Sequence, residues 1–143
     1  MTDIKNIHLS VEIREACLGD VPGLLEMVAE LAEFEHLADQ LVATEEDYRE
    51  SLFGEHPAAE ALVATASGQL VGYAIFFSTF STFVGRAGIW LEDLYVRPDF
   101  RKAGIGKKLL KAVGRIAEKR NAGRYEWCVL DWTQNAIDLY TQV

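Results

Sequence analysis

The sequence predicts an α/β domain: a mixed β-sheet with helices on both faces. Three observations lead there. Residues Ile89 to Val96 are apolar on both sides of a strand, which suits the middle of a sheet. Gly104 and Gly106 then open a helix whose apolar residues Ile105, Leu109, Val113, Ile116 and Ala117 share one face. A strand from Arg124 to Trp132 completes a strand–helix–strand crossover, whose two strands should run parallel. The 143 residues fit one domain, 1–143, with a core of its own and residues 1–7 as a frayed leader.

The other elements follow from local signals. Leu9 to Ala16 alternates apolar Leu9, Val11 and Ile13 with polar Ser10, Glu12 and Arg14, the pattern of a half-buried strand. Asp20 as N-cap and Pro22 in the first turn predict a helix to about Leu37, buried along Leu24, Met27, Val28, Leu31 and Phe34. Thr44-Glu45-Glu46-Asp47 approximates a capping box for a short helix ending near Gly54. Glu60–Ala66, Ser67-Gly68 and Leu70–Ser78 read as strand, turn and strand. Thr79 to Gly88 reads as a loop, and Arg97-Pro98-Asp99 as a turn. The glycine-started helix should stop near Asn121-Ala122-Gly123, and a last helix should start near Thr133.

Composition narrows the partners. Fourteen basic against twenty-two acidic residues give a net charge of −8, which argues against nucleic acid and suits a small cationic substrate. Cys17 and Cys128 make no disulfide framework, which points to a reducing, cytoplasmic setting. His8, His36 and His56 lack metal-ligand spacing, so no metal is expected. No signal peptide opens the chain, and no apolar run nears the roughly 20 residues of a membrane span, so no membrane partner is expected.

Two features carry chemistry. Glu92 and Asp93 lie inside the apolar strand, where simple alternation sends one carboxylate to each face. A buried carboxylate without a partner is costly, so acids here should have a partner or a task. The second feature is Arg101-Lys102-Ala103-Gly104-Ile105-Gly106, with Lys107 and Lys108 following. Glycines at a helix start let backbone N–H groups crowd round an anion, and the helix dipole favours a phosphate, here a pyrophosphate. A nucleotide P-loop fails because Arg stands at 101 and no Ser or Thr follows Lys107. The dinucleotide fingerprint fails because Leu109 stands where a third glycine is needed. On these six residues alone an ordinary glycine-rich helix start with a solvated basic face remains open.

Leu91-Glu92-Asp93-Leu94-Tyr95-Val96, Arg101-x-x-Gly104-x-Gly106 and Asn135-Ala136-Ile137-Asp138-Leu139-Tyr140 together resemble the GNAT N-acetyltransferases. Within them, the chain resembles the diamine (spermidine/spermine) acetyltransferase branch. Glu30-Leu31-Ala32-Glu33-Phe34-Glu35, Phe53-Gly54-Glu55-His56-Pro57 and Val129-Leu130-Asp131-Trp132 point the same way. The likeness runs from Val11 onward, and polyamine and thialysine acetyltransferases share these motifs.

The resemblance implies acetyl-CoA as the cofactor and a GNAT fold. The backbone of Leu94, Tyr95 and Val96 would hold the pantetheine arm beside a bulge in the central strand. N–H groups around Arg101, from Lys102 through Ala103, Gly104, Ile105 and Gly106 to Lys107, would cradle the pyrophosphate. Tyr140 would protonate the departing thiolate, and Glu92 would accept the amine proton through water. Phe34, Glu35, Glu92 and Asp93 would bind the amine. Thr133 follows Trp132 where the branch usually has a cofactor-contacting Asn, with Asn135 two residues on, and Lys102 stands where a Gly is frequent. The family pattern also has two more strands after the last helix. The strand at 124–132 would otherwise be a bare edge, so residues beyond Val143 or a partner chain should cover it. A homodimer is expected, as is usual for the family.

Read without the family, these residues keep bland alternatives. Glu92 can be an acid neutralised by a nearby Arg, and Asp93 an ion-pair partner near a loop mouth. Tyr140 can be a core aromatic and Glu30, Glu33 and Glu35 a solvated helix face. Trp90, Trp127 and Trp132 fit core or channel wall. Cys128 has no activating His beside it, which sets aside a covalent acetyl-enzyme. The expected activity is direct acetyl transfer from acetyl-CoA to a primary amine of a small cationic substrate, a diamine, polyamine or lysine-like amine. The alternatives are a protein or peptide N-acetyltransferase of the same fold and a non-catalytic acyl-CoA-binding module.

Overall fold

A computed structural model describes residues 10–127. They form one five-stranded sheet, β1 (Val11–Glu15), β2 (Glu60–Ala66), β3 (Gln69–Phe80), β4 (Ala87–Val96) and β5 (Tyr125–Trp127), in that spatial order. Neighbours from β1 to β4 are antiparallel, whereas β4 and β5 are parallel. The crossover between β4 and β5 contains helix α3 (Ile105–Lys119). Helices α1 (Val21–Phe34) and α2 (Glu45–Phe53) connect β1 to β2. This is the mixed α/β architecture expected from the sequence.

The sheet separates two cores. Leu109, Leu110 and Val113 of α3 pack with Leu62, Ala74, Phe76, Ile89 and Leu91. Leu24, Met27 and Val28 of α1 pack with Val63, Tyr73, Ile75 and Tyr95 on the other face. Each helix therefore buries its apolar stripe against one side of the pleat, as strand alternation requires. Ile89, Leu91 and Tyr95 of β4 are buried, in keeping with its place between β3 and β5. No helix among the described residues is long and apolar enough to cross a membrane.

Several boundaries differ from expectation, each for a local reason. Asp20 does not cap α1 with its side chain. Its carboxylate accepts from Cys17 N–H at 2.8 Å and from both terminal nitrogens of Arg14, at 2.7 and 3.0 Å, closing a 3-10 turn over Leu18–Asp20. Helix α1 stops at Phe34 rather than near Leu37, because His36 takes a left-handed φ of 59°. Thr44 does cap α2: its Oγ1 accepts from Asp47 N–H and Asp47 accepts from Thr44 N–H. The stretch expected as a loop at 79–88 is a loop only over 81–86, because β3 and β4 extend into both its ends, with Thr79↔Gly88 and Phe80↔Ala87 paired. Its Thr and Phe residues read equally as β formers. The strand expected over 124–132 is described only as Tyr125–Trp127, and the last helix, with Ala136, Ile137, Leu139 and Tyr140, lies outside the described residues.

Candidate active site

The site starts from an irregularity in β4. Ile75 pairs with Asp93 and Phe76 with Leu91, so Glu92 is an extra residue with no partner on β3. A bulge of this kind turns two successive side chains to the same side. Leu91 and Leu94 accordingly both pack on the α3 side, though three residues apart. Asp93 lies on the α1 side, where the Tyr73 hydroxyl donates to its Oδ2 at 3.2 Å. Glu92 shares that side, because Trp90 Nε1–H, across the strand from Ile89 and Leu91, donates to Glu92 Oε1 at 3.2 Å. The expectation of one carboxylate on each face is therefore wrong. The bulge gathers both acids on the α1 face.

The two acids differ in setting. Glu92 is exposed, which corrects the expectation of a buried acid there, and Asp93 is the enclosed one. Burial pushes the Asp93 carboxyl up to about 6, opposed by the Tyr73 hydrogen bond and reinforced by the charges of Glu92 and Glu35. Glu35, directly after α1, is also raised by burial. Tyr48 of α2 is pushed up to about 12 by burial and then by Asp93, and the buried Tyr73 is raised as well, so both stay protonated donors at neutral pH. Two tyrosines thus flank a carboxylate that has no cation partner among the described residues. Sequence reasoning missed Tyr48 and Tyr73. The signal available was a polar aromatic facing Asp93 across a strand pair, but the bulge hides that register.

Toward its C-terminal end β4 meets a second set of polar groups. Arg97 Nη2 lies 3.2 Å from both Glu26 and Glu30 of α1, and its Nη1 donates to Leu70 O. The Tyr95 hydroxyl donates to Glu30 Oε1 at 2.9 Å. Glu30 is therefore a structural anchor of α1 and not a solvated face. Phe34, at the last residue of α1, is 41% exposed and stands under the Arg101 guanidinium. The motif arginine thus reaches α1, which its spacing did not suggest.

The glycine-rich segment has the geometry of an anion cradle. After a 3-10 turn over Pro98–Phe100, Lys102 and Gly104 adopt φ values of 70° and 78°, and Gly104 caps α3. A left-handed residue at 102 accounts for the Gly frequent there in the family pattern, and Lys102 adopts the same conformation at a steric cost. Among the described residues no backbone hydrogen bond takes up the N–H groups of 102 to 107; the first one engaged is Lys108 N–H on Gly104 O, at 3.0 Å. A Cβ placed on Gly104 meets nothing within 4 Å, so the cradle is open on that side. Unpaired N–H groups, a helix N-terminus and flanking Arg101, Lys102 and Lys107 fit a pyrophosphate. Leu94, Tyr95 and Val96 stand beside it, and β5 pairs only with Ile89, Trp90 and Leu91 among the described residues. Among the described residues the outer edge of β4 past the bulge is therefore uncovered, as an extended ligand arm requires. Thr133, Asn135 and Tyr140 lie outside the described residues. Among those described, no group of His, Cys, Asp or Glu could hold a metal ion.

Comparison with known proteins follows the same lines. The profile of the Acetyltransferase (GNAT) family matches residues 25–143. The thialysine N-epsilon-acetyltransferase of Sus scrofa is 43% identical over 139 residues, covering 92% of this chain and 81% of that protein. The human spermidine/spermine N(1)-acetyltransferase-like protein 1 is 33% identical over 91% of this chain, which corresponds to 20% of that longer protein. The solved ribosomal-protein-alanine N-acetyltransferase from Brucella melitensis biovar Abortus superposes with a TM-score of 0.78 at 27% identity, covering 94% of this chain and 91% of the other.

Proposed function

The chain belongs to the GNAT acetyltransferase family, and we propose that it moves the acetyl group of acetyl-CoA directly onto a primary amine whose carrier bears a second positive charge. It is an N-acetyltransferase of small amines. The dicationic preference, for a diamine, polyamine or lysine-like amine, is carried by one observation. Glu92, Asp93 and Glu35 converge on the α1 face of the bulged strand, and Asp93 is partly enclosed there with no cation beside it among the described residues.

Acetyl-CoA supplies an activated thioester. The N–H groups of 102 to 107 bind its pyrophosphate, with Arg101, Lys102 and Lys107 adding positive charge, and the backbone of Leu94 to Val96 aligns the pantetheine arm. A lysine-type ammonium has a pKa of about 10.4 and must lose a proton before attack. Glu92, exposed and oriented by the Trp90 indole, accepts that proton through water. Asp93 and Glu35 hold the distal charge, and the cation in turn favours the ionised form of Asp93. Tyr140 donates a proton to the leaving sulfur, a role that rests on the resemblance. A cytoplasmic homodimer is the setting we propose. In its favour, Phe80 and Phe83 stand 69% and 96% exposed on the β3–β4 hairpin, and the described Cys17 is a free thiol.

The test is acetyl-CoA turnover by the full chain with a panel of amines, read by thiol release. Thialysine, ornithine and aliphatic diamines should exceed neutral monoamines in kcat/KM, with the advantage shrinking as salt rises. A preference for a neutral amine removes the dicationic reading and leaves the acetyltransferase assignment. Coenzyme A binding without turnover on any amine would instead favour a non-catalytic module.

A further inference from the structure

The donor cradle and the amine wall touch at one side chain. Arg101 belongs to the cradle, yet its guanidinium carbon lies 5.1 Å from the centroid of the Phe34 ring and 5.6 Å from that of Tyr95. Both are within the range of cation–π attraction. Its Nε donates to Val96 O at 2.9 Å, on the last residue of β4. The guanidinium is thereby held by β4 on its edge and stacked against aromatic rings from α1 and β4. Phe34 ends α1, and Glu35 follows it directly. The rest of α1 is fixed to β4 by Arg97, Glu26, Glu30 and the Tyr95 hydroxyl, which leaves Phe34 and Glu35 as the end of the helix that Arg101 controls.

We propose that Arg101 is a positioning residue that couples the two substrate sites, transmitting occupancy of the pyrophosphate cradle to the amine wall at Phe34 and Glu35. The inference rests on reading residues 102 to 107 as the donor cradle. When N–H groups of 102 to 107 close on an anion, the backbone that carries Arg101 is fixed with them. Its bond to Val96 O then sets the plane of the guanidinium, and Phe34 packs on that plane. Because coupling between binding sites is reciprocal, an intact Phe34 wall must in turn favour the cradle. Phe34 has no place in the cradle itself, and its contact with Arg101 is the route that links it to coenzyme A binding.

A double-mutant cycle on the full chain tests this, with coenzyme A as the probe and calorimetry as the readout. Phe34→Leu should weaken coenzyme A binding roughly two- to five-fold, the value of one exposed cation–π contact. In an Arg101→Lys background, which keeps the charge and loses the planar face, Phe34→Leu should change the affinity by less than the error. Phe34→Tyr should restore wild-type affinity, and thermal melts confirm that each variant folds. Steady-state kinetics add a second readout: Arg101→Lys should raise KM for the amine at saturating acetyl-CoA, with kcat altered less. Equal effects of Phe34→Leu in both backgrounds, or no effect in either, overturn the coupling while leaving the cradle intact. Failure of the wild-type chain to bind coenzyme A overturns the cradle and the coupling together.

Discussion

Asp93 provides a perturbation whose sign follows from the structure. Its carboxyl titrates near 6 in the folded protein against a reference of 3.8, mainly through burial. Below about pH 4 it is protonated in the folded and the unfolded chain, and contributes no penalty. Between about pH 4 and 6 the folded protein keeps a proton that the unfolded chain has lost, so stability falls as pH rises. Above that window both states are ionised and the whole penalty remains. Two pKa units correspond to about 3 kcal/mol as an upper figure. Asp93→Asn removes the charge and keeps an oxygen for the Tyr73 hydroxyl, but exchanges the second oxygen for an NH₂ group, and the lost acceptor returns about 1 kcal/mol. The expected net gain near pH 7.5 is about 1–2 kcal/mol, or roughly 3–6 °C in Tm for a domain of this size. At pH 4 the gain should be gone. Melting curves of wild type and variant from pH 4 to 8, followed by circular dichroism, measure it. The same variant should lose kcat/KM for dicationic amines. A Tm gain that is equal at pH 4 and pH 7.5, or absent at pH 7.5, refutes the reasoning.

Two further predictions concern the neighbouring groups. Gly104→Val places a branched side chain at a φ of 78° and toward the open side of the cradle, so calorimetry should show coenzyme A affinity down tenfold or more, with a Tm loss of a few degrees; unchanged affinity removes the phosphate reading. Glu92→Gln should lower kcat by roughly 10²-fold with partial recovery at high pH, where the amine deprotonates unaided; a pH-rate profile parallel to wild type would show that another group takes the proton.

The fold was legible because its signals are local. Thr44 with Asp47, Ser67-Gly68 and the apolar stripe of α3 each report on neighbours within a turn or two. Glu92, Gly104 and the arginine motif pointed to the candidate site for the same reason. What could not be read was set by distance. The bulge arises from pairing with Ile75 and Phe76, and without it the two acids fall on opposite faces. Arg101 on Phe34 and Arg97 on Glu30 join residues 67 positions apart in each case (101 − 34 and 97 − 30), beyond the reach of any periodicity. Asp20 is the exception: its competitors Cys17 and Arg14 are only three and six residues back, and they take the carboxylate that would otherwise cap α1.

The irregular pairing of β4 has a consequence for how such a chain can change. Ten residues of β4 face nine positions of β3, and Glu92 is the one without a counterpart. Removing that codon would leave Leu91 opposite Phe76 and Asp93 opposite Ile75, with every core side chain on its present face. Substitutions at Leu91 or Tyr95 disturb packing and are exposed to selection for folding. A single-residue deletion at Glu92 is shielded from it, and would straighten the strand while erasing the paired acids. Length, more than residue identity, is what an inheriting lineage must preserve at this point in the strand.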